Sequence, residues 1–352
     1  MKSFLSLSKK AALGQYPREK VKIPKYLAKD GYGQIPCSTN AIAIRNNYFC
    51  IPMSRHFIQE NPGLKIGIRI PDRIAGELIK EVRLNPLYGA RYLEAEFVYK
   101  PKKGSAQPER TPGILAIDPG VATLAAAIST VGTAFLVDGQ RLKAQNQWYN
   151  KERARLQSIK DLQGIKGGTA MLAAIAYNRG NFIRDYLSKA GHLIVQHCLD
   201  NGIGRVVVGV NPLWKQEINI GRVNNQNFVQ IPFWKFRRFL KHLCEKNGIE
   251  YAEIAEGYTS KASFLDRDTI PEYDPHRTEK PMFSGKRVKR GLYRSATGRA
   301  VNADLNGAAN ILRKASPGID LTLVDRALCA NPARLYPLAT TKKRTFKSKA
   351  AA

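Results

Sequence analysis

Acidic residues are scarce in this chain of 352 residues: 28 Asp and Glu stand against 57 Lys and Arg, leaving a net charge of +29. Such an excess repels itself unless a polyanion neutralises it. Nucleic acid is the commonest partner of that kind, ahead of a membrane surface or an acidic protein. Cysteine is also sparse. The five, Cys37, Cys50, Cys198, Cys244 and Cys329, are odd in number and include no C-x-x-C pair. That argues against a disulfide framework and a four-cysteine zinc site, and it fits a reducing, cytoplasmic setting. Long apolar runs are missing. The most apolar window, residues 113–129, is broken by Asp118, Pro119 and Gly120, so no membrane span is expected. The apolar stretch at the start is too short for a signal peptide, and no internal repeat is present. Apolar residues make up 43%, which is enough for a packed core.

Residues 1–20 are basic and polar and are expected to be mobile. Residues 21–100 contain short strand patterns (41–44, 64–68 and 92–98), with 72–82 as one candidate helix, and predict a small β-rich, barrel-like nucleic-acid-binding domain. The stretch 101–112 has linker composition. A second domain, 113–315, opens with strands at 114–117, 123–128 and 133–137. Helices follow at 140–163 and up to about 199, then a strand at 205–210, a helix after Pro232, a strand at 249–255 and a helix at 302–314. That order predicts an α/β RNase H-like (RuvC-like) sheet with inserted helices. The tail, 316–352, is basic and shows little pattern.

Two-metal hydrolysis of a phosphodiester needs carboxylates on a rigid scaffold, holding two divalent cations about 4 Å apart. Hard carboxylate oxygens suit Mg²⁺ or Mn²⁺. Asp118 ends an apolar strand and precedes Gly120, although Asp-Pro-Gly also suits a tight turn. Asp304 lies in the first turn of a helix, where acids are favoured in any case, but Gly307, Ala308 and Ala309 would let that helix press on a sheet. Glu256 follows a strand and precedes Gly257-Tyr258-Thr259-Ser260-Lys261.

Taken together, Ala116-Ile117-Asp118-Pro119-Gly120, Tyr258-Thr259-Ser260-Lys261 and the run from Asn302 to Leu312 resemble the RuvC-like nuclease of TnpB proteins. These are transposon-encoded and related to type V CRISPR effectors and Fanzor proteins. The resemblance covers about 113–314 well and 40–100 weakly. It implies a guide RNA from the element end, target DNA as the second partner, and cleavage at one acidic site. Two features depart from the family pattern. The middle glutamate usually ends the strand that here reads Val206 to Asn211, which has no acid. In a rearranged subset it stands two residues before Tyr-Thr-Ser, the place of Glu256. Glu217 and Glu253 are weaker substitutes. The zinc-ribbon cysteines are also absent from 259–300, so no zinc is expected. A ribbon there would have to persist on packing and phosphate contacts.

The residues expected to meet nucleic acid are Lys151, Arg153 and Arg155 on a helix, Trp214, Lys215 and Arg222 in an aromatic–basic stretch, and Lys286, Arg287, Lys289, Arg290 and Arg294 in a late cluster. The leading expectation is a metal-dependent, RNA-guided endodeoxyribonuclease that is cytoplasmic and nucleoid-associated. One alternative is a nuclease-inactive, RNA-guided DNA binder, since the region before residue 100 leaves little room for the usual helical insertion. The other is a transposase that joins DNA ends.

Overall fold

The computed structural model describes residues 2–23, 27, 31–100, 111–211, 231–274 and 281–338. It divides into two compact units, residues 1–105 with 167–173, and 106–166 with 174–352.

The first unit begins with a helix, α1 (Lys2–Ala12), where a mobile segment was expected. Lys9 and Lys10 sit in its last turn, where the helix dipole favours cations. The strands that follow are β1 (Ile35–Ser38), β2 (Ala43–Arg45) and β3 (Tyr48–Cys50). A short helix, α2 (Arg55–Glu60), leads to β4 (Gly67–Arg69), β5 (Leu78–Leu87) and β6 (Tyr92–Lys100). They form two antiparallel three-stranded sheets, β1-β5-β6 and β2-β3-β4. Cys37, Phe49, Ile70, Val82 and Leu84 join these in one core. No ladder connects the two sheets among the described residues, so the unit is a pair of sheets on a shared core rather than a closed barrel. The helix expected over 72–82 is absent. Asp72–Ile74 is a single 3₁₀ turn, Gly76 adopts φ +81°, and β5 starts two residues later. Pairing with β1 and β6 outweighs the weak helical propensity of that stretch.

In the second unit, β7 (Gly113–Pro119), β8 (Thr123–Ser129) and β9 (Ala134–Asp138) form an antiparallel meander. Two helices follow, α3 (Gln140–Leu162) and α4 (Ala170–Asp200). The strand β10 (Ile203–Val210) then pairs parallel to β7. After the helix α5 (Phe233–Lys246), β11 (Glu250–Ala255) pairs parallel to β10. A three-stranded antiparallel ribbon comes next: β12 (Lys286–Lys289), β13 (Leu292–Arg294) and β14 (Ala300–Asn302). The chain continues through α6 (Ala303–Ala315) and α7 (Thr322–Cys329) to β15 (Ala333–Leu335). The last strand runs parallel to β9 and gives the order β11-β10-β7-β8-β9-β15. The first five strands in this order form an RNase H-like sheet. The tail, expected to be patternless, supplies α7 and the sixth strand.

Alternate residues of each strand face opposite sides, which settles what meets what. Leu115 and Ile117 of β7, with Val206 and Val208 of β10, pack against Ile183, Tyr186 and Leu187 of α4 and against Phe236 and Leu240 of α5. Ile114 and Ala116 of β7, with Val207 of β10, pack on the other side against Leu305, Ala308, Ile311 and Leu312 of α6. Asp118 and Gly209 share the parity of this second set, so the α6 face of the sheet carries the acid.

Candidate active site at the strand ends and helix α6

Asp118 is the penultimate residue of β7, opposite Ala126 of β8. A Cβ at Gly120 would stand 2.8 Å from the Thr123 carbonyl, so the turn into β8 closes only without a side chain. Asp304 is the second residue of α6. Asn302 caps that helix, its Oδ1 accepting from the Asp304 and Leu305 amides at 2.9 and 3.1 Å. Thr123 Oγ1 donates to Asp304 Oδ2 at 3.0 Å, and an Arg287 guanidinium N–H donates to Oδ1 at 3.0 Å. Glu256 directly follows β11, and its amide donates to the Val210 carbonyl at 3.0 Å. Its Oε2 is buried and lies 3.3 Å from where a Gly209 Cβ would be. Beyond Val207, the next β10 position on the α6 face thus carries no side chain, and the Glu256 carboxylate stands over it.

Asp118 senses the other two acids. Burial pushes the Asp118 carboxyl well above the usual carboxylate range, the charges of Glu256 and Asp304 push it further, and Arg287 opposes them. A cavity of about 470 Å³ opens here, with Asp118, Thr123, Lys143, Arg287, Arg290 and Asp304 in its lining. Among the described residues, no three His, Cys, Asp or Glu side chains stand close enough as placed to hold one metal ion between them. Glu253, the weaker candidate, pairs with Val208 across the sheet and so faces α5, where it holds Arg237 at 3.2 Å and the Tyr251 hydroxyl at 2.8 Å. Glu217 lies outside the described residues, as do Trp214, Lys215 and Arg222.

Two buried asparagines on α6 were not singled out from sequence. Asn306 accepts from the Phe264 amide at 3.0 Å and donates to the Ala262 carbonyl at 2.8 Å. Asn310 donates to the Thr259 and Ala262 carbonyls at 2.9 and 2.7 Å. The Tyr-Thr-Ser-Lys segment is thus clamped to the helix that carries Asp304, and Thr259 in turn holds the Glu256 carbonyl at 2.9 Å. Lys143 was also missed. Its one available signal was its place in the first turn of the helix that follows β9.

Lys151, Arg153 and Arg155 are exposed on α3, with Arg155 paired to Glu152 at 2.6 Å. Lys286, Arg287, Lys289, Arg290 and Arg294 are all exposed on the ribbon, and of these Arg287 and Arg290 line the cavity. The ribbon forms without thiols. Tyr293 and Val301 pack it into the core under α6, in line with the packing expected, and Asp266 and Asp268 fasten it further by hydrogen bonds.

A family model described as a probable transposase, OrfB_IS605, matches residues 96–213, and one for the Cas12f1-like TNB domain matches 233–311. "TnpB-like protein ORF457" of Acidianus two-tailed virus is 28% identical over 232 residues, 63% of this chain and 46% of that protein. The chain thus spans about half the length of this curated relative. Two solved structures resemble it. A Cas12f1–sgRNA–target DNA complex has TM-score 0.46 and 14% identity over 82% of this chain and 60% of that one. A CRISPR–Cas12f ternary complex has TM-score 0.42 and 12% identity over 89% and 69%. No helix among the described residues is long and apolar enough to cross a membrane. The stretch matched by the first model holds Asp118 and the stretch matched by the second holds Glu256 and Asp304, and with the viral relative they make the chain similar to TnpB and Cas12f proteins.

Proposed function

We propose that this protein is an RNA-guided DNA endonuclease of a transposable element, with Asp118, Glu256 and Asp304 as its metal ligands. The observation that carries the reading is the Glu256 carboxylate standing over side-chain-free Gly209, close enough to Asp118 to perturb it. An acid from the end of β11 thereby enters the space that an acidic side chain on β10 would fill, which supports the rearranged glutamate. The three carboxylates are hard-oxygen donors of the kind suited to Mg²⁺ or Mn²⁺, and a cation drawn in beside Asp118 would relieve the repulsion from Glu256 and Asp304 that disfavours its ionised form. When bound, a pair of such ions activates water and stabilises the leaving oxygen. Thr123 orients one Asp304 oxygen. Arg287 neutralises the other and, with Lys143 and Arg290, gives the cavity a cationic rim fit for a sugar–phosphate chain. The guide RNA and target DNA fit the +29 charge and the nucleic acids named for the two Cas12f complexes.

The test is cleavage of matched double-stranded DNA by protein purified with RNA from its own locus, in Mg²⁺. Asp118→Ala, Glu256→Ala and Asp304→Ala should each abolish cutting and keep RNA binding. Full cutting by Glu256→Ala would remove the middle ligand from the scheme. Folded wild-type protein that binds RNA and matched DNA yet leaves the DNA intact would replace the nuclease with an RNA-guided binder.

A further inference from the structure

The ribbon that carries Arg287 and Arg290 to the cavity has little apolar support of its own. All four residues of β12 are exposed. Its fully buried anchor is Tyr293 of β13, whose hydroxyl donates to the Lys261 carbonyl at 2.8 Å. Across the β12–β13 pair from this anchor, Tyr293 faces Arg287. The third strand, β14, also buries Val301, but the outer strand β12 buries no side chain, so its orientation must be fixed by something else.

Two carboxylates from the loop after Lys261 do this. Asp266 Oδ2 accepts from Ser263 Oγ at 2.5 Å and the Ala296 amide at 2.8 Å, and stands 3.0 Å from Ser284 Oγ. Asp268 Oδ2 accepts from the Ser263 amide at 2.7 Å and the Ser284 amide at 3.1 Å, and its Oδ1 accepts from Ser284 Oγ at 2.6 Å. Ser284 lies two residues before β12, and Ala296 two residues after β13. The pair therefore grips both feet of the hairpin and ties them to the 263–268 loop. Asn306 fastens the same loop to α6 through Phe264 and Ala262. A continuous chain of bonds thus runs from the Asp304 helix, through the loop and the two carboxylates, to the strand that presents Arg287. Hydrogen bonds to an ionised acceptor are about twice as strong as neutral ones, and an anion surrounded by donors needs no cation to organise it.

We infer that Asp266 and Asp268 are positioning residues that seat the cationic ribbon over the candidate site, working as a metal-free, carboxylate-centred knot. The reference to the site rests on the proposed function, but the knot does not.

The test uses the full chain in EDTA and reads hydrogen exchange by mass spectrometry together with binding of a short single-stranded DNA. In Asp266→Asn, amides of 285–302 should exchange at least about tenfold faster, with β7 and β10 unchanged. DNA affinity should fall, and adding Asp266→Asn to an Arg287→Ala, Arg290→Ala variant should produce no further fall, because those cations are what the knot positions. Ser284→Ala removes the hydroxyl that stands between the two carboxylates without burying a lone charge, and it should reproduce the effect in milder form if Asp266→Asn does not fold. Unchanged ribbon exchange in both variants, or an affinity loss that adds fully to that of the arginine variant, overturns the inference. So does stoichiometric zinc whose removal by the chelator melts the ribbon. None of these measurements requires cutting, so a protein that never cleaves DNA still tests the knot.

Discussion

Gly307→Ala separates the site from the stability of the fold. A Cβ built on Gly307 collides with Asp118 Oδ2, and the Asp118 Cγ lies 3.3 Å from it. Relief to ordinary contact requires the carboxylate to move by about an ångström, since carbon and oxygen rest at roughly 3.4 Å or more. The helix itself gains about 1 kcal/mol from replacing Gly by Ala in its interior. Overpacking costs about 1–3 kcal/mol, so the net loss is at most about 2 kcal/mol, or a fall in Tm of no more than about 8 °C. Displacing a reacting group by an ångström costs roughly a hundredfold in rate. The expected result is a folded protein that binds RNA and cuts its target about a hundredfold more slowly, assayed by single-turnover cleavage beside a thermal melt. Gly180→Ala is the control: it lies in α4, no atom lies within 4 Å of its added Cβ, and it should be stable and fully active. Cutting by folded Gly307→Ala at the wild-type rate would show that Asp118 need not sit where the structure has it, and the argument for the site would fail.

Two other outcomes follow from named contacts. Lys143→Ala should weaken single-stranded DNA binding about tenfold and flatten its salt dependence by about one phosphate contact, read by anisotropy across a salt series, whereas Lys143→Arg should restore both. An unchanged slope would detach Lys143 from phosphate. His197 is buried beside Phe135 and the Thr133 hydroxyl, and burial lowers its pKa against the opposing pull of Asp200. It stays neutral in the folded protein while the unfolded chain takes up a proton near 6.5. Its stabilisation is therefore full above about pH 6.5 and is lost as pH falls toward its lowered native value, by at most about 1.4 kcal/mol per pH unit. Melts from pH 8 to 5 should show a shallower acid slope in His197→Gln, and parallel slopes would contradict the assignment.

Much of the second unit was legible because its elements are long or strongly patterned. The apolar strand ending in Asp118, the Phe233-Phe236-Leu240 stripe of α5 and the small-residue face of α6 each admit one reading. Parity then follows, which is how Glu253 could be set aside. What escaped was set by tertiary partners. The sequence 72–82 suits a helix until β1 and β6 are available to pair with it. The strand β15 has three residues and is recognisable only from its ladder with β9. Lys143 looks like any cation on a basic helix until the cavity gives it a direction. Asn306 and Asn310 look like polar residues on an exposed face, yet both are fully buried, because they donate to carbonyls of the loop packed on the helix. The carboxylate knot was invisible for a related reason: two aspartates in a loop carry no signal until the serines and amides that surround them are brought in from residues 284 and 296.

The late addition of β15 to β9 has a consequence for how the protein is made. Until residues 333–335 leave the ribosome, the outer margin of β9 presents its amides and carbonyls to whatever extended chain is nearby. A copy interrupted after α6 would possess every acid discussed above and still offer a sticky border to its neighbours. The final short strand thus guards the nascent protein against wrong pairing, a service quite apart from any chemistry on DNA.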